Sequence, residues 1–233
     1  MRALLLAAGL GTRLRPLTDS VPKAMVDIAG RPLLDRWLQM LLEGGVERVL
    51  VNTHYLGSVI RTHVQTSPWR DRVDLVDEKI LLGTGGTLLA NRAWFGPGPL
   101  LITHGDNASD LDIRTFISAH AGRSVGILAT MALFRTDNPQ SCGIVVMDGD
   151  NVIREFHEKQ PNPPGNLANA AAFVFEPEIF DYLAEAGKGM IDLSAEIIPR
   201  LIGRIQGFEI KGYHRDIGSP ESLEMARKHY GEA

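Results

Sequence analysis

Cysteine is almost absent from this chain, and the single Cys142 excludes an intramolecular disulfide and any cysteine-built metal cluster. Such usage suits a reducing compartment, so the expectation is a cytoplasmic protein. An excess of positive charge is missing too. Lys and Arg total 24 against 28 Asp and Glu, a formal net charge of -4, with a sequence pI near 6.0. A nucleic-acid or anionic-membrane partner would be served by a basic face, so neither is expected, and any phosphate binding has to be local. Long apolar runs are also lacking, since no stretch reaches the ~20 residues needed to span a bilayer. The N-terminal Met1–Ala8 has the apolar flavour of a leader, but it runs straight into Gly9-Leu10-Gly11-Thr12-Arg13 and reads as a buried first strand. The chain has no internal repeat and no low-complexity tail.

Hydrophobic residues at 44% and charged residues at 22% describe a globule able to bury a sizeable core. The 233 residues fall below the ~250–300 at which single cores stop growing, so one domain over residues 1–233 is expected. Short runs rich in Val, Ile and Leu recur at Arg2–Ala7, Arg48–Asn52, Val73–Val76, Leu100–Thr103 and Val125–Met131. Several lack clean alternation, as parallel strands covered on both faces do. Amphipathic segments at Pro32–Glu43, Gly57–Val64, Gly86–Arg92 and Asp112–His120 lie between them. Alternating β and α predicts an α/β fold with a doubly wound sheet. After about residue 133 the rhythm changes. Gly143–Met147, a turn at Asp148–Asn151 and Val152–His157 read as a hairpin in a small inserted β-lobe. A proline-rich loop at Gln160–Gly165, a strand Ala170–Phe175, a helix around Asp192–Leu201, a strand Ile205–Ile210 and a final helix from Pro220 complete the pattern.

The first strand ends in Ala7-Ala8-Gly9-Leu10-Gly11-Thr12-Arg13-Leu14-Arg15-Pro16, at the sheet edge where open α/β proteins bind ligands. Glycines there let backbone N–H groups approach phosphate, and Arg13 can grip phosphate oxygens in a fork. Two familiar phosphate loops are excluded. A Walker loop needs Gly-x-x-x-x-Gly-Lys-Ser/Thr, which the chain lacks. A dinucleotide fingerprint needs a third glycine at position 14 and an immediate helix, but position 14 is Leu14, Pro16 follows, and the second strand ends at Asn52 rather than at an acid. The ordered string Gly9, Gly11-Thr12-Arg13-Leu14, Pro16-Leu17-Thr18 and Pro22-Lys23 resembles the signature of the sugar-phosphate nucleotidyltransferases, and the resemblance extends over nearly the whole chain.

That resemblance implies a Rossmann-like, GT-A-like mixed sheet in a single domain. Its parts are a nucleotide-binding region of about residues 1–133, a sugar-binding lobe of about 134–215 and a C-terminal helix of about 219–230. Ala8, Gly9, Gly11, Thr12 and Arg13 would wrap the triphosphate, and Lys23 would lie beside the α-phosphate. Leu82-Gly83-Thr84-Gly85-Gly86-Thr87 resembles the family motif that frames base and sugar, which assigns Gly83 and Thr84 to the nucleotide. Physically, a helix opening there would supply free N–H groups, while Thr84 could cap it. Leu100–Asn107 resembles the family strand ending in Gly-Asp, which makes Asp106 catalytic and a Mg²⁺ ligand. A buried acid is costly alone, and a cation bridging to phosphate offsets that cost. Asp216, in Tyr213–Leu223, is the second metal ligand implied. Arg154–Lys159 and Asn169–Phe175 resemble family segments that assign Glu158 and Asn169 to sugar hydroxyls and Lys159 to the sugar phosphate. Gly143 keeps the family glycine before the hairpin, whereas Ala171 stands where glycine is typical and Gln160 where proline is.

The implied activity joins a sugar 1-phosphate to a nucleoside triphosphate, yielding an NDP-sugar and pyrophosphate, with Arg13, Lys23 and Asp106 catalytic. The resemblance is strongest to short bacterial guanylyl- and uridylyltransferases that make nucleotide sugars for cell-envelope polysaccharide. It points first to GTP with a mannose- or heptose-type 1-phosphate, then to UTP with N-acetylmuramate or another hexose 1-phosphate. A homodimer is compatible with it. The chain ends soon after the Asp216 helix, so an acetyltransferase activity on an added β-helix domain is not expected. A GT-A glycosyltransferase would show Asp-x-Asp, which Asp106-Asn107-Ala108 does not match. A regulatory subunit that only binds nucleotide sugars would be expected to lose Lys23, Arg13 or Asp106, and all are present.

Overall fold

A computed structural model describes residues 1–187 and 189–231, which fall into two compact units. The first holds Met1–Leu81, Thr103–Ile113 and the chain from Gly212; the second holds Leu82–Ile102 and Arg114–Lys211.

In the first unit the opening apolar run forms β1 (Arg2–Leu6), with Ala3, Leu4 and Leu5 fully buried. A small ribbon, β2 (Asp27–Ile28) and β3 (Arg31–Pro32), leads into α1 (Leu33–Glu43). Leu34, Trp37, Leu38 and Leu41 repeat at helical spacing along α1 and are fully buried. The Trp37 indole N–H finds a partner in the Asn107 carbonyl at 2.8 Å. β4 (Arg48–Thr53), α2 (Gly57–Thr66) and β5 (Val73–Asp77) follow. β1, β4 and β5 are parallel neighbours, with Leu4 beside Leu50 and Val51 beside Leu75.

The second unit begins with α3 (Gly83–Ala90) and α4 (Arg92–Phe95). The chain then runs through β6 (Leu100–His104), β7 (Asn107–Ser109) and α5 (Ile113–Ala121), which cross between the two sets of residues. β8 (Ala129–Arg135) pairs antiparallel with β11 (Leu167–Phe175) and parallel with β12 (Ile205–Glu209), so the sheet is mixed. β9 (Gly143–Met147) and β10 (Ile153–Glu158) form the expected hairpin. Its turn is tied by Asp148, whose Oδ1 accepts from the amides of Asp150 at 3.0 Å and Val152 at 2.9 Å. α6 (Ile179–Ala186) buries Ile179, Phe180 and Leu183. Back in the first unit, β13 (His214–Asp216) and α7 (Pro220–Gly231) close the described chain. No helix among the described residues is long and apolar enough to cross a membrane.

Several sequence boundaries shift. The strand expected at Val125–Met131 begins at Ala129 instead, because Gly126 turns the chain with φ 89° and leaves Val125 exposed. The helix expected around Asp192–Leu201 is a π turn at Leu193–Ile197 followed by a 3₁₀ turn at Ile198–Leu201. Pro199, lacking an N–H, breaks the regular ladder there. The helix α6 and the pairing of β7 with β13 have no counterpart in the expected pattern.

Candidate active site

β1 ends at the glycine loop because the Ala7 amide turns to the Asn52 side-chain oxygen, 2.8 Å away on β4. Ala8 is buried, whereas a Cβ on Gly9 would meet nothing within 4 Å, so space lies open above the loop. Gly11 takes φ +64°, and a Cβ there would press on Thr18 at 2.9 Å. Both facts require glycine at 11. Thr12–Leu14 then form a single 3₁₀ turn, not an α-helix, in keeping with the exclusion of a dinucleotide fingerprint. Thr12 itself is exposed.

Asp106 and Asp216, 110 residues apart, meet because their flanking strands pair. β7 follows Asp106 directly and runs antiparallel to β13, with Asp216 opposite Asn107 and His214 opposite Ser109. The Gly105 amide bonds the Leu6 carbonyl at 2.8 Å, which sets Asp106 beside the end of β1. Lys23 enters from a 3₁₀ turn at Lys23–Met25 with its side chain only 7% exposed. Its ammonium donates to Asp106 Oδ2 and Asp216 Oδ1, both at 2.8 Å. Arg13 donates to the other oxygen of Asp216 at 3.1 Å. Two cations and two anions balance, so the cluster carries no excess charge of its own. A Cβ on Gly218 would lie 2.5 Å from Arg13 Nη2 and from Asp216 Oδ2, so the absent side chain makes room for that pair.

Burial pushes the Asp106 carboxyl up, but the Lys23 ammonium and His104 beside it reverse this and hold it below the ordinary carboxylate range. It is ionised at neutral pH. Burial drives the His214 imidazole down to about 3, against the pull of Asp106 and with the push of His104, so it stays neutral and bonds Ser109 Oγ at 3.0 Å. Among the described residues no group of three or more His, Cys, Asp or Glu side chains gathers as a ready-made metal cage. What converges is a carboxylate pair held on one ammonium.

The other candidate residues lie in the second unit. Gly83 has φ +73°, and a Cβ there would strike the Ile191 carbonyl at 2.6 Å. That same carbonyl accepts from the Gly85 amide at 2.8 Å, so the N-terminal amides of α3 are not all free as the sequence suggested. Thr84 does not cap α3 either; its hydroxyl accepts from the Leu193 amide at 2.8 Å. Gly143 is pressed by Phe156 and Glu158, whose atoms a Cβ would meet at 2.5 and 2.6 Å. Glu158 pairs with its neighbour Lys159 at 3.4 Å, and the Lys159 side chain is 67% exposed. Asn169 is engaged locally, its Oδ1 accepting from the Ala171 amide at 2.9 Å and its Nδ2 facing Ser194 at 3.4 Å. Arg13, Lys23, Asp106 and Asp216 are thus gathered into one cluster, and Gly143, Glu158 and Lys159 into another.

The family described as nucleotidyl transferase matches residues 2–233. The chain belongs to the nucleotidyl transferase family. Bifunctional protein GlmU of Methanococcus aeolicus is 32% identical over 234 residues, covering 98% of this chain and 54% of that protein. Mannose-1-phosphate guanylyltransferase of Mycobacterium tuberculosis is 30% identical over 226 residues, covering 95% of this chain and 62% of that one. The chain therefore spans between half and two thirds of the length of these relatives. Among solved structures, HddC of Yersinia pseudotuberculosis complexed with GMP-PN is 26% identical, with a TM-score of 0.80 over 98% of this chain and 99% of that one. The Rossmann-like mixed α/β class expected from the sequence is borne out.

Around the cluster, sequence reasoning missed the parts that Asn52, Glu78 and Gly218 play in its geometry. Asn52 links the head of the glycine loop to Glu78, whose Oε1 accepts from Asn52 Nδ2 at 3.0 Å, and both residues are buried. The available signal was a polar residue closing an apolar strand, Val49-Leu50-Val51-Asn52, one residue from the β4 end. Gly218 was visible only as part of a longer motif.

Proposed function

We propose that the chain transfers a nucleoside monophosphate from a nucleoside triphosphate to a sugar 1-phosphate and releases pyrophosphate. The observation that carries this reading is the Lys23 ammonium held between Asp106 and Asp216, with Arg13 on the outer oxygen, at the end of a glycine loop with open space above Gly9. A sugar-phosphate oxygen is already anionic and needs no strong base, so placement and charge neutralisation are what the protein has to supply. The oxygen attacks the α-phosphorus in line; the bond from that phosphorus to its bridge oxygen breaks, and the electron pair leaves with pyrophosphate. No proton has to move.

Ala8, Gly9, Gly11 and Thr12 offer backbone and hydroxyl donors to the triphosphate, and Arg13 grips its oxygens. Lys23 stabilises charge that builds at the α-phosphate. Gly83 and Thr84 frame the nucleoside, while Gly143, Glu158, Lys159 and Asn169 serve the sugar phosphate. Residues 1–133 then act mainly on the nucleotide and 134–215 on the sugar, with the helix from 219 following Asp216. The Asp106–Asp216 pair also fits Mg²⁺, an ion bound by one or two carboxylates together with substrate phosphates. Such an ion supplies neutralisation of the triphosphate charge when bound.

GTP is the favoured nucleotide, supported by the guanylyltransferase among the relatives and the GMP-PN complex among the structures. A mannose- or heptose-type 1-phosphate is the favoured acceptor. The test is pyrophosphate release with four nucleoside triphosphates crossed against a panel of sugar 1-phosphates, with and without chelator. GTP with one of these sugars should lead, and chelator should abolish release. A lead by UTP would transfer the reading to a uridylyltransferase, and nucleotide binding without release from any pair would leave a regulatory subunit.

A further inference from the structure

The paired strands that join Asp106 to Asp216 have a second end, and it is fastened by a side chain outside the cluster. Asp110 follows β7 and bonds the backbone of the residue before β13 with both its amide and its carboxylate. Its amide donates to the Tyr213 carbonyl at 2.8 Å, and its Oδ2 accepts from the Tyr213 amide at 3.1 Å. The same carboxylate reaches α7. Oδ1 accepts from the Tyr230 hydroxyl at 2.8 Å, and Oδ2 lies 3.1 Å from His229 Nε2. The Tyr213 ring stacks on His229 at 4.2 Å, and the Arg36 guanidinium of α1 covers Tyr230 at 4.3 Å. Gly212 leaves the space, for a Cβ there would come within 2.7 Å of the Asp110 Cβ.

We propose that Asp110 is a positioning residue that sets Asp216 through β13. β13 is three residues long and carries Asp216 at its far end, and the Asp110 clamp reinforces the β7 ladder at its near end. Releasing the clamp lets β13 shift along β7. A shift of that kind moves the Asp216 carboxylate away from Lys23 and Arg13, and displacements of about 1 Å at a reacting centre are worth on the order of a hundred-fold in rate. Asparagine at 110 keeps an oxygen for the Tyr213 amide and an amide that Tyr230 can accept from, so it preserves the clamp where alanine does not.

The inference rests on the transfer reaction for its rate effect, and its structural half is measured without turnover. Amide hydrogen exchange is followed at residues 213–217 in wild type, Asp110→Ala, Asp110→Asn and Tyr230→Phe. Exchange should rise about ten-fold or more in Asp110→Ala, less in Tyr230→Phe, and stay near wild type in Asp110→Asn. Turnover should fall about ten- to a hundred-fold in Asp110→Ala with the sugar-phosphate KM within a few-fold, and Asp110→Asn should recover most of it. In an Asp216→Asn background, Asp110→Ala should add little, since the residue it positions is already lost. Should Asp110→Ala not fold, Tyr230→Phe carries the same comparison. Unchanged exchange at 213–217 in Asp110→Ala and Tyr230→Phe overturns the proposal, as does a full independent loss on Asp216→Asn. A wild type that releases no pyrophosphate removes the assigned reaction, and the exchange data still decide whether Asp110 holds β13.

Discussion

Lys23 sits where a lysine is least comfortable, almost fully enclosed, and is retained there by two carboxylates at 2.8 Å. Removing its ammonium in Lys23→Ala takes away charge stabilisation that grows toward the transition state, so turnover should fall about 10²–10³-fold while nucleoside triphosphate binding stays within a few-fold. Steady-state kinetics with calorimetric nucleotide binding checks this, and a raised KM with unchanged turnover would take Lys23 out of the chemistry. The variant also leaves Asp106 and Asp216 facing each other with only the exposed Arg13 to offset their charge, so stability should drop as well. Glu78 belongs to the same scale. Glu78→Ala takes this acceptor from the buried Asn52 amide, which should cost about 1–3 kcal/mol, read as a lower urea midpoint. An unchanged midpoint would show that the Asn52–Glu78 bond adds nothing to stability. Lys23, Asp106 and Asp216 were legible in the chain because each sits in an ordered string of glycines, prolines and apolar strand residues. Glu78 was not, because no glycine or spacing marks it, and the bridge from it through Asn52 to the Ala7 amide is set by the fold.

At the scale of elements, β11 contains a departure from regular pairing whose cause was half visible beforehand. Ala171 stands where the resembling family has glycine, and it takes φ +53° as the pairing with β8 shifts between Asn169 and Phe173. The Asn169 side chain holds this bulge through the Ala171 amide. A left-handed alanine is strained by about 1–2 kcal/mol, and glycine loses roughly 0.5–1 kcal/mol more conformational entropy on folding. Ala171→Gly should therefore raise stability by about 0.5–1 kcal/mol, read as a higher urea midpoint with unchanged slope. A lower midpoint would mean that the alanine methyl is packed well enough to outweigh its strain. Strands with a dense apolar run, such as Leu4 to Leu6 or Leu50 to Val51, were readable because burial on both faces demands them. β7 and β13 were not, since each is three residues long and exists only through the other. The α6 helix escaped for a related reason, as its eight residues follow a strand end with no capping side chain to announce them.

For the molecule as a whole, acid sensitivity follows from imidazoles that folding withholds from solvent. His120, in α5, is almost fully buried, with Nδ1 at 2.9 Å from Thr130 Oγ1 and Nε2 at 3.0 Å from Glu176 Oε1. Burial lowers its pKa, Glu176 pulls the other way by hydrogen bonding and charge, and Arg123, itself paired with Glu176, adds to the lowering. The net direction is down. The unfolded chain takes up this proton near pH ~6.5, whereas the folded chain takes it up only at lower pH. Between those values the unfolded state binds more protons, so His120 contributes stability that is complete above the unfolded pKa and is lost as pH falls toward the folded one. His214, pushed down to about 3 by burial, adds a loss of the same sign over a wider window. Thermal unfolding midpoints should accordingly fall between about pH 7.5 and 5. His120→Gln keeps a polar group for Thr130 and Glu176 without a titrating nitrogen, so its midpoint should start lower at neutral pH and decline less steeply. Parallel pH curves for the variant and wild type would show that His120 is not the group being titrated and would leave the acid loss to His214 and the carboxylates.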